Sequence, residues 1–341
     1  MEHLTEFAGL PVIEFPFKEK GRRWQQELRR LQERGENPSV PPSAASAAWR
    51  LRILYGESQE EGEEAAYFAR FLDEVDAEQV TALVIGTWGD SAQGDLCEAV
   101  ELLVEHADAL PNLRSLFVGD IYFEECEISW ITHDDLAPLV VAFPRLEELV
   151  VRGADGMGGS VLGLHVPSHD SLRSLTVQTG GLPGRVTREV VSSGLPVLEH
   201  LELWLGVDEY SGDTVPADLA PVLSGEAFPR LRYLGVRNAE KADEWVPVLA
   251  EAPLVRRLEV LDLSLGVLTD RGGRELVDRA AAFSGLRALD LHHHFLSEEM
   301  VERVRAAFAG SGVEVDLSDR QEAEYRDDGE GYWDYYTAAA E

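Results

Sequence analysis

Asp290 is followed at close range by His292, His293 and His294, and imidazole beside carboxylate is a ligand set that zinc or iron accepts. Consecutive residues of an extended strand point to opposite sides, so at most His292 and His294 share a face. Asp262 and Asp316 occupy positions equivalent to Asp290, and carboxylates stacked in one row repel each other unless the strands are well solvated or a cation lies along them. Arg237 and His292, diagonal to the row, are one source of positive charge. A basic peptide or amine laid along the acids is another, with Trp204 and Tyr233 as flat apolar anchors.

No other chemistry is signalled. The chain has no His-Glu-x-x-His, no phosphate loop ending in Gly-Lys-Ser/Thr, no Gly-x-Ser-x-Gly and no calcium loop, so no cofactor is expected. Gly153, Gly156, Gly158 and Gly159 do not match a dinucleotide fingerprint and read as a turn. Cys97 and Cys126 form no Cys-x-x-Cys pair and read as small core residues. With 63 acidic and 30 basic residues the formal charge is −33, which repels a phosphate backbone and argues against nucleic acid as partner. Lysine occurs only at positions 18, 20 and 241, a bias that suggests a high-GC bacterial genome. No run approaches 18 apolar residues, and Met1 to Pro16 lacks a basic segment followed by an apolar one. Membrane spanning and secretion therefore drop out, leaving the cytoplasm as the expected compartment.

Residues that act together need elements to bring them together, and the chain announces those elements by repetition. One phrase (apolar, two residues, apolar, one residue, apolar) returns eight times, opening at Val80, Leu113, Leu146, Leu172, Leu198, Leu231, Leu258 and Leu286. The openings lie 26 to 33 residues apart, which fits one strand plus one helix per unit. Helix-compatible spacing fills 96–110, 134–143, 216–228, 243–252, 269–283 and 297–308, several opening on Asp, Ser or Thr suited to an N-cap. Prolines 111, 144, 196 and 229 stop the chain just before the next strand.

With the apolar columns facing inward, the residues between and after them face the opposite surface. The column between the last two apolar positions reads Val84, Phe117, Val150, Thr176, Glu202, Gly235, Asp262, Asp290 and Asp316. Candidate binding residues on this surface are Glu148, Arg152, Glu202, Trp204, Tyr233, Arg237, Asp262, Asp290, His292 and Asp316. No catalytic residue, cofactor ligand or metal ligand is assigned.

The phrase resembles the leucine-rich repeat, and its unit length resembles the ribonuclease-inhibitor-like subclass. The likeness covers roughly residues 80 to 317. It implies an α/β solenoid, a horseshoe with a parallel β-sheet on the concave face and helices on the convex one. There is one departure: where that family places asparagine or cysteine to tie successive turns together, this chain has Trp88, Ile121, Ala154, Gly180, Gly206, Ala239, Gly266 and His294. Segments such as "LRSLFVGDI", "EHLELWLGVD" and "LDLHHHFLSE" are similar to a small family of bacterial leucine-rich-repeat proteins whose genes sit with radical-SAM, ATP-grasp and sulfatase-like enzymes. That resemblance implies an accessory role near enzymes.

Around the repeat array, read as residues 80–318 with a closing strand at 312–318, lie four further segments. Residues 1–17 read as an N-terminal strand segment, and 18–45 as a basic helical insert with a linker. Residues 46–79 read as the capping unit that an open array requires, with Trp49, Leu51 and Ile53 alternating as a strand. The tail, 319–341, holds eight acids, two bases and five aromatic residues, which either fold back on the last repeat or engage another protein. The reading that results is a non-enzymatic scaffold whose concave face binds a protein or peptide, a basic one if the acids select it. Two alternatives stay open: a metal-dependent enzyme or enzyme subunit using His292, His294 and Asp290, and an assembly subunit acting through its convex helices.

Overall fold

The structure is a computed structural model describing residues 3–17, 43–58, 60, 62–89, 94–155, 161–327 and 331–340. The expected basic insert and linker lie outside the described residues except for positions 43–45. The chain divides into two compact units, Met1–Gly163 and Leu164–Glu341. Among the described residues, no helix is long and apolar enough to cross a membrane.

The first unit opens with an antiparallel hairpin of β1 (Glu6–Phe7) and β2 (Leu10–Glu14). Its two-residue turn, Ala8 and Gly9, has positive φ at both positions, the geometry whose twist suits a tight hairpin. From β2 the sheet continues in parallel through β3 (Ala48–Leu51), β4 (Ala82–Ile85), β5 (Ser115–Val118) and β7 (Glu148–Arg152). A short parallel pair, β6 (Thr132–His133) with β8 (Ala154–Asp155), lies outside this sheet. The register aligns Ile13, Trp49, Leu83, Leu116 and Leu149 in one row, each at most 2% exposed. Helices α1 (Glu63–Glu74), α2 (Cys97–Glu105) and α3 (Ala137–Ala142) alternate with the strands and bury one stripe each, such as Tyr67, Phe68 and Phe71 on α1.

The second unit repeats the plan. Six parallel strands follow in order: β9 (Ser174–Gln178), β10 (His200–Gly206), β11 (Tyr233–Ala239), β12 (Val260–Asp262), β13 (Ala288–Asp290) and β14 (Glu314–Asp316). Between them run α4 (Gly184–Val191), α5 (Ala220–Leu223), α6 (Ala242–Glu251), α7 (Asp270–Asp278) and α8 (Glu298–Phe308). Thr269 and Ser297 cap α7 and α8, their hydroxyl oxygens accepting the N–H groups of Arg271 and Met300 at 3.2 Å each. Helix α4 was not among the expected segments, because its β-branched Val186, Thr187, Val190 and Val191 carry little helix propensity. All four side chains are buried, and packing outweighs propensity there.

At Gly206 and Gly266, glycine takes the place of the missing asparagine. Gly206, at φ +66, brings the backbone so close that a Cβ would stand 1.8 Å from the carbonyl oxygen of Gly180. Gly266 would place one 2.6 Å from the oxygen of Ala239, which accepts the N–H of Val267 at 2.9 Å. Successive turns are thus tied by backbone meeting backbone. At His294 a ring ties the turns instead. Its Nδ1 accepts the N–H of Leu296 at 3.1 Å, and its Nε2 donates to the oxygen of Leu317 at 3.2 Å. Burial pushes this imidazole below its ordinary pKa, consistent with a neutral ring in that tautomer.

The tail turns back along the second unit. A hairpin of β15 (Glu324–Arg326) and β16 (Tyr332–Asp334) precedes a segment whose Tyr336 packs edge-on against His293 and Phe295. Ala338 then donates to the oxygen of Leu265 at 2.9 Å. The Asn238 amide closes the contact by accepting the N–H of Ala339 at 3.0 Å and donating to its carbonyl oxygen.

Candidate functional site

The residues between the buried apolar columns form a second face in each unit, and the two faces differ: the first carries Val84, Phe117 and Val150, the second Glu202, Asp262, Asp290 and Asp316. In the first unit this face is covered. Phe7, Ala48, Ala82, Val84 and Phe117 form one buried cluster, with Leu4, Leu10, Val12 and Val150 packed against it. The N-terminal hairpin therefore lies over a surface expected to face solvent. Arg152 is likewise only 7% exposed: it donates to the oxygen of Ile121 at 2.9 Å and sits 5.3 Å from the Phe117 ring centre. Its expected role on an accessible binding surface is corrected by that burial. Glu148, at the start of β7, stays half-buried.

A charged network, absent from the candidates read from sequence, pins the hairpin down. Arg50 pairs with Asp120 at 2.6 Å, and Arg52 with Glu14 at 2.8 Å and Glu125 at 3.0 Å. His3 reaches Glu125 at 3.1 Å and Asp120 at 3.5 Å. Burial disfavours the charged His3 ring, but these two carboxylates outweigh it and raise its pKa above the ordinary value. The alternation of Arg50 on β3 with Arg52 just beyond it was the available signal, while the loop acids and His3 had none.

In the second unit, parallel register sets Glu202, Gly235, Asp262, Asp290 and Asp316 side by side across five strands. Gly235 leaves the gap that its neighbours fill, since a Cβ there would stand 3.1 Å from both the Glu202 side chain and the Tyr233 ring. Into the gap between Glu202 and Asp262 comes Arg237, donating to Glu202 at 2.8 Å and to the Ser264 hydroxyl at 2.9 Å, with Asp262 at 3.2 Å. Trp204 Nε1 donates to Glu202 at 2.7 Å, and the Tyr233 hydroxyl lies 2.7 Å from Asp262 and 3.1 Å from Glu202. Having one proton, that hydroxyl donates to the nearer carboxylate. His200 stacks on Tyr233 with centroids 3.8 Å apart.

These contacts set the protonation of the two acids. Burial pushes Glu202 up, but His200, Arg237 and Trp204 more than offset this and hold its pKa at about 2. At Asp262 burial wins over Arg237, Ser264 and Tyr233, and the pKa is raised. The same packing removes anchors from the surface: Glu202, Trp204 and Asp262 are 7%, 6% and 4% exposed. The expectation that all three present themselves to a partner is corrected, because Trp204 and Arg237 close over Glu202, and Arg237 and Tyr233 close over Asp262. His200, Tyr233 and Arg237 remain partly accessible above them.

Two strands further on, Asp290 accepts from His292 at 2.8 Å, and Asp316 is exposed. His294 does not join them. His293 has φ +58, which breaks the strand alternation, and His294 is fully buried between turns. The grouping of His292 and His294 with Asp290 is thereby corrected to Asp290, His292 and Asp316, whose ligand atoms lie within 4.8 Å of one another. Of the two cysteines, Cys97 is half-buried and held at about 12 by burial and by Asp95 and Asp134, the opposite of an activated nucleophile.

No protein-family model matches the chain, and no curated protein matches it. Among solved structures, a protein of Bacteroides fragilis determined in a structural genomics programme is 29% identical. The match covers 87% of this chain and 82% of that one, with a TM-score of 0.70. An internalin of Listeria monocytogenes is 14% identical over 82% of this chain and 76% of its own, with a TM-score of 0.33.

Proposed function

We propose that the chain is a non-catalytic scaffold that binds a protein or peptide on the polar face of its second unit, through His200, Tyr233, Arg237, Asp290, His292 and Asp316. The observation that carries this reading is the difference between the faces of the two units. The first is covered by the chain's own N-terminal segment, whereas the second keeps charged and aromatic side chains accessible.

The chemistry complementary to the second face is basic. Asp290 and Asp316 are direct neighbours, and among the described residues neither pairs with an arginine or lysine, although Asp262 one strand away has Arg237. A leucine-rich-repeat accessory to a bacterial enzyme fits this chemistry, with the partner contributing arginine or lysine side chains. Affinity capture from the native host in chelator-containing buffer, comparing wild type with Tyr233→Ala and with Asp290→Asn combined with Asp316→Asn, tests it. Both variants are expected to lose a partner that wild type retains. Equal recovery by all three removes this face from consideration.

A further inference from the structure

We propose that Asp290, His292 and Asp316 form a binding site for a divalent transition-metal ion, of the zinc, cobalt or manganese class. Three separate observations meet here. The donors are already gathered, one ligand atom from each residue lying within 4.8 Å of the other two. They sit on the adjacent parallel strands β13 and β14 and just beyond β13, so the sheet and not a mobile loop sets their spacing. Asp290 and Asp316 are also direct partners in the strand register, a pair of like charges whose repulsion grows wherever water is excluded.

The same column shows how this protein resolves that repulsion when it uses its own side chains. Between Glu202 and Asp262 it inserts Arg237, at 2.8 Å and 3.2 Å. At the pair Asp290 and Asp316 the residue two places after the aligned position, where Arg237 follows Gly235, is His292, an imidazole in place of a permanent cation and itself a metal donor. Among the described residues, no lysine or arginine reaches Asp290 or Asp316. A cation supplied from solution completes the pattern that Arg237 completes internally.

The donor set also selects the class of ion. One imidazole with two carboxylates suits borderline ions. Calcium and magnesium prefer all-oxygen shells, and copper(I) prefers sulfur. Each aspartate is held in place by a backbone N–H, that of His292 to Asp290 at 3.0 Å and that of Ser318 to Asp316 at 2.8 Å, which leaves its second oxygen for the ion. Partial exposure of Asp290 and His292 and the exposure of Asp316 leave further coordination positions for water or a partner's donor.

This assignment does not rest on the partner reading, and its test uses metal alone. Tag-free full-length protein, stripped with chelator and dialysed, is titrated calorimetrically with zinc chloride and separately with magnesium chloride, and zinc content is measured after gel filtration. One zinc per chain is expected, with affinity lowered at least about ten-fold by His292→Ala and by Asp316→Asn. Circular dichroism confirms that both variants keep the fold. Failure to take up zinc, uptake that both variants leave unchanged, or magnesium bound as tightly as zinc overturns the assignment.

Discussion

Glu202 is the residue on which the second unit's charge arrangement turns, and its environment makes a signed prediction. Its folded pKa of about 2 lies below the ordinary value of 4.5, so its contribution to stability is present above pH 4.5 and is lost as pH falls toward 2. Replacing it by glutamine leaves Arg237 and Trp204 aimed at a neutral group in a site where Glu202 is 7% exposed. Glu202→Gln is expected to cost about 3 kcal/mol at pH 7, the usual loss for a buried pair deprived of one member. Denaturant unfolding at pH 7 and at pH 3 measures it. The gap between wild type and variant should narrow at the lower pH, and a constant gap would show that the charge of Glu202 contributes nothing.

Elements are held to one another here by backbone contact and by the returning tail. Gly206→Ala introduces a Cβ 1.8 Å from the Gly180 oxygen at φ +66, and is expected to prevent stable folding of the second unit. Gly310→Ala, at φ +80 with nothing within 4 Å, should cost only about 1 kcal/mol of backbone strain. Thermal unfolding of the pair separates close approach from conformational strain alone, and equal losses would remove close approach as the reason for Gly206. For the tail, Asn238 is fully buried and its amide pairs with both backbone groups of Ala339. Removing residues 335–341 takes away those bonds and uncovers Phe295, and hydrogen exchange is expected to accelerate at Leu265 and His293. Unchanged exchange there would mean that the tail does not stay docked in solution.

At the scale of the whole molecule, charge and coverage set what is available for binding. The N-terminal hairpin is clamped by a His3 whose pKa is raised, so its clamping is fully present below pH 6.5 and is lost as pH rises through the raised value. Protection of residues 10–14 from hydrogen exchange should therefore fall on the alkaline side in wild type, and His3→Gln should abolish that pH dependence. A formal charge of −33 acts over the entire surface, and a basic partner should associate faster at low ionic strength. Stopped-flow association rates that do not change between low and physiological salt would rule out electrostatic steering.

The strand-and-helix plan of each repeat was legible from the residues alone, because burial of aliphatic side chains obliges a repeated pattern and the pattern survives in one dimension. Leu116, Leu201 and Leu289 are all buried, and Asp262, Asp290 and Asp316 share one row, since parallel strands with matched columns have one register that keeps the apolar residues inside. What lies against that row was decided only in three dimensions. The enclosure of Glu202 and Trp204 depends on Arg237 and Tyr233 arriving from the neighbouring strand. The burial of Phe117 depends on a hairpin far upstream, and the place of His294 on a positive φ at His293. Periodicity records which side of a strand a residue faces. Whether that side meets water depends on what the rest of the chain lays over it, and local spacing does not encode this.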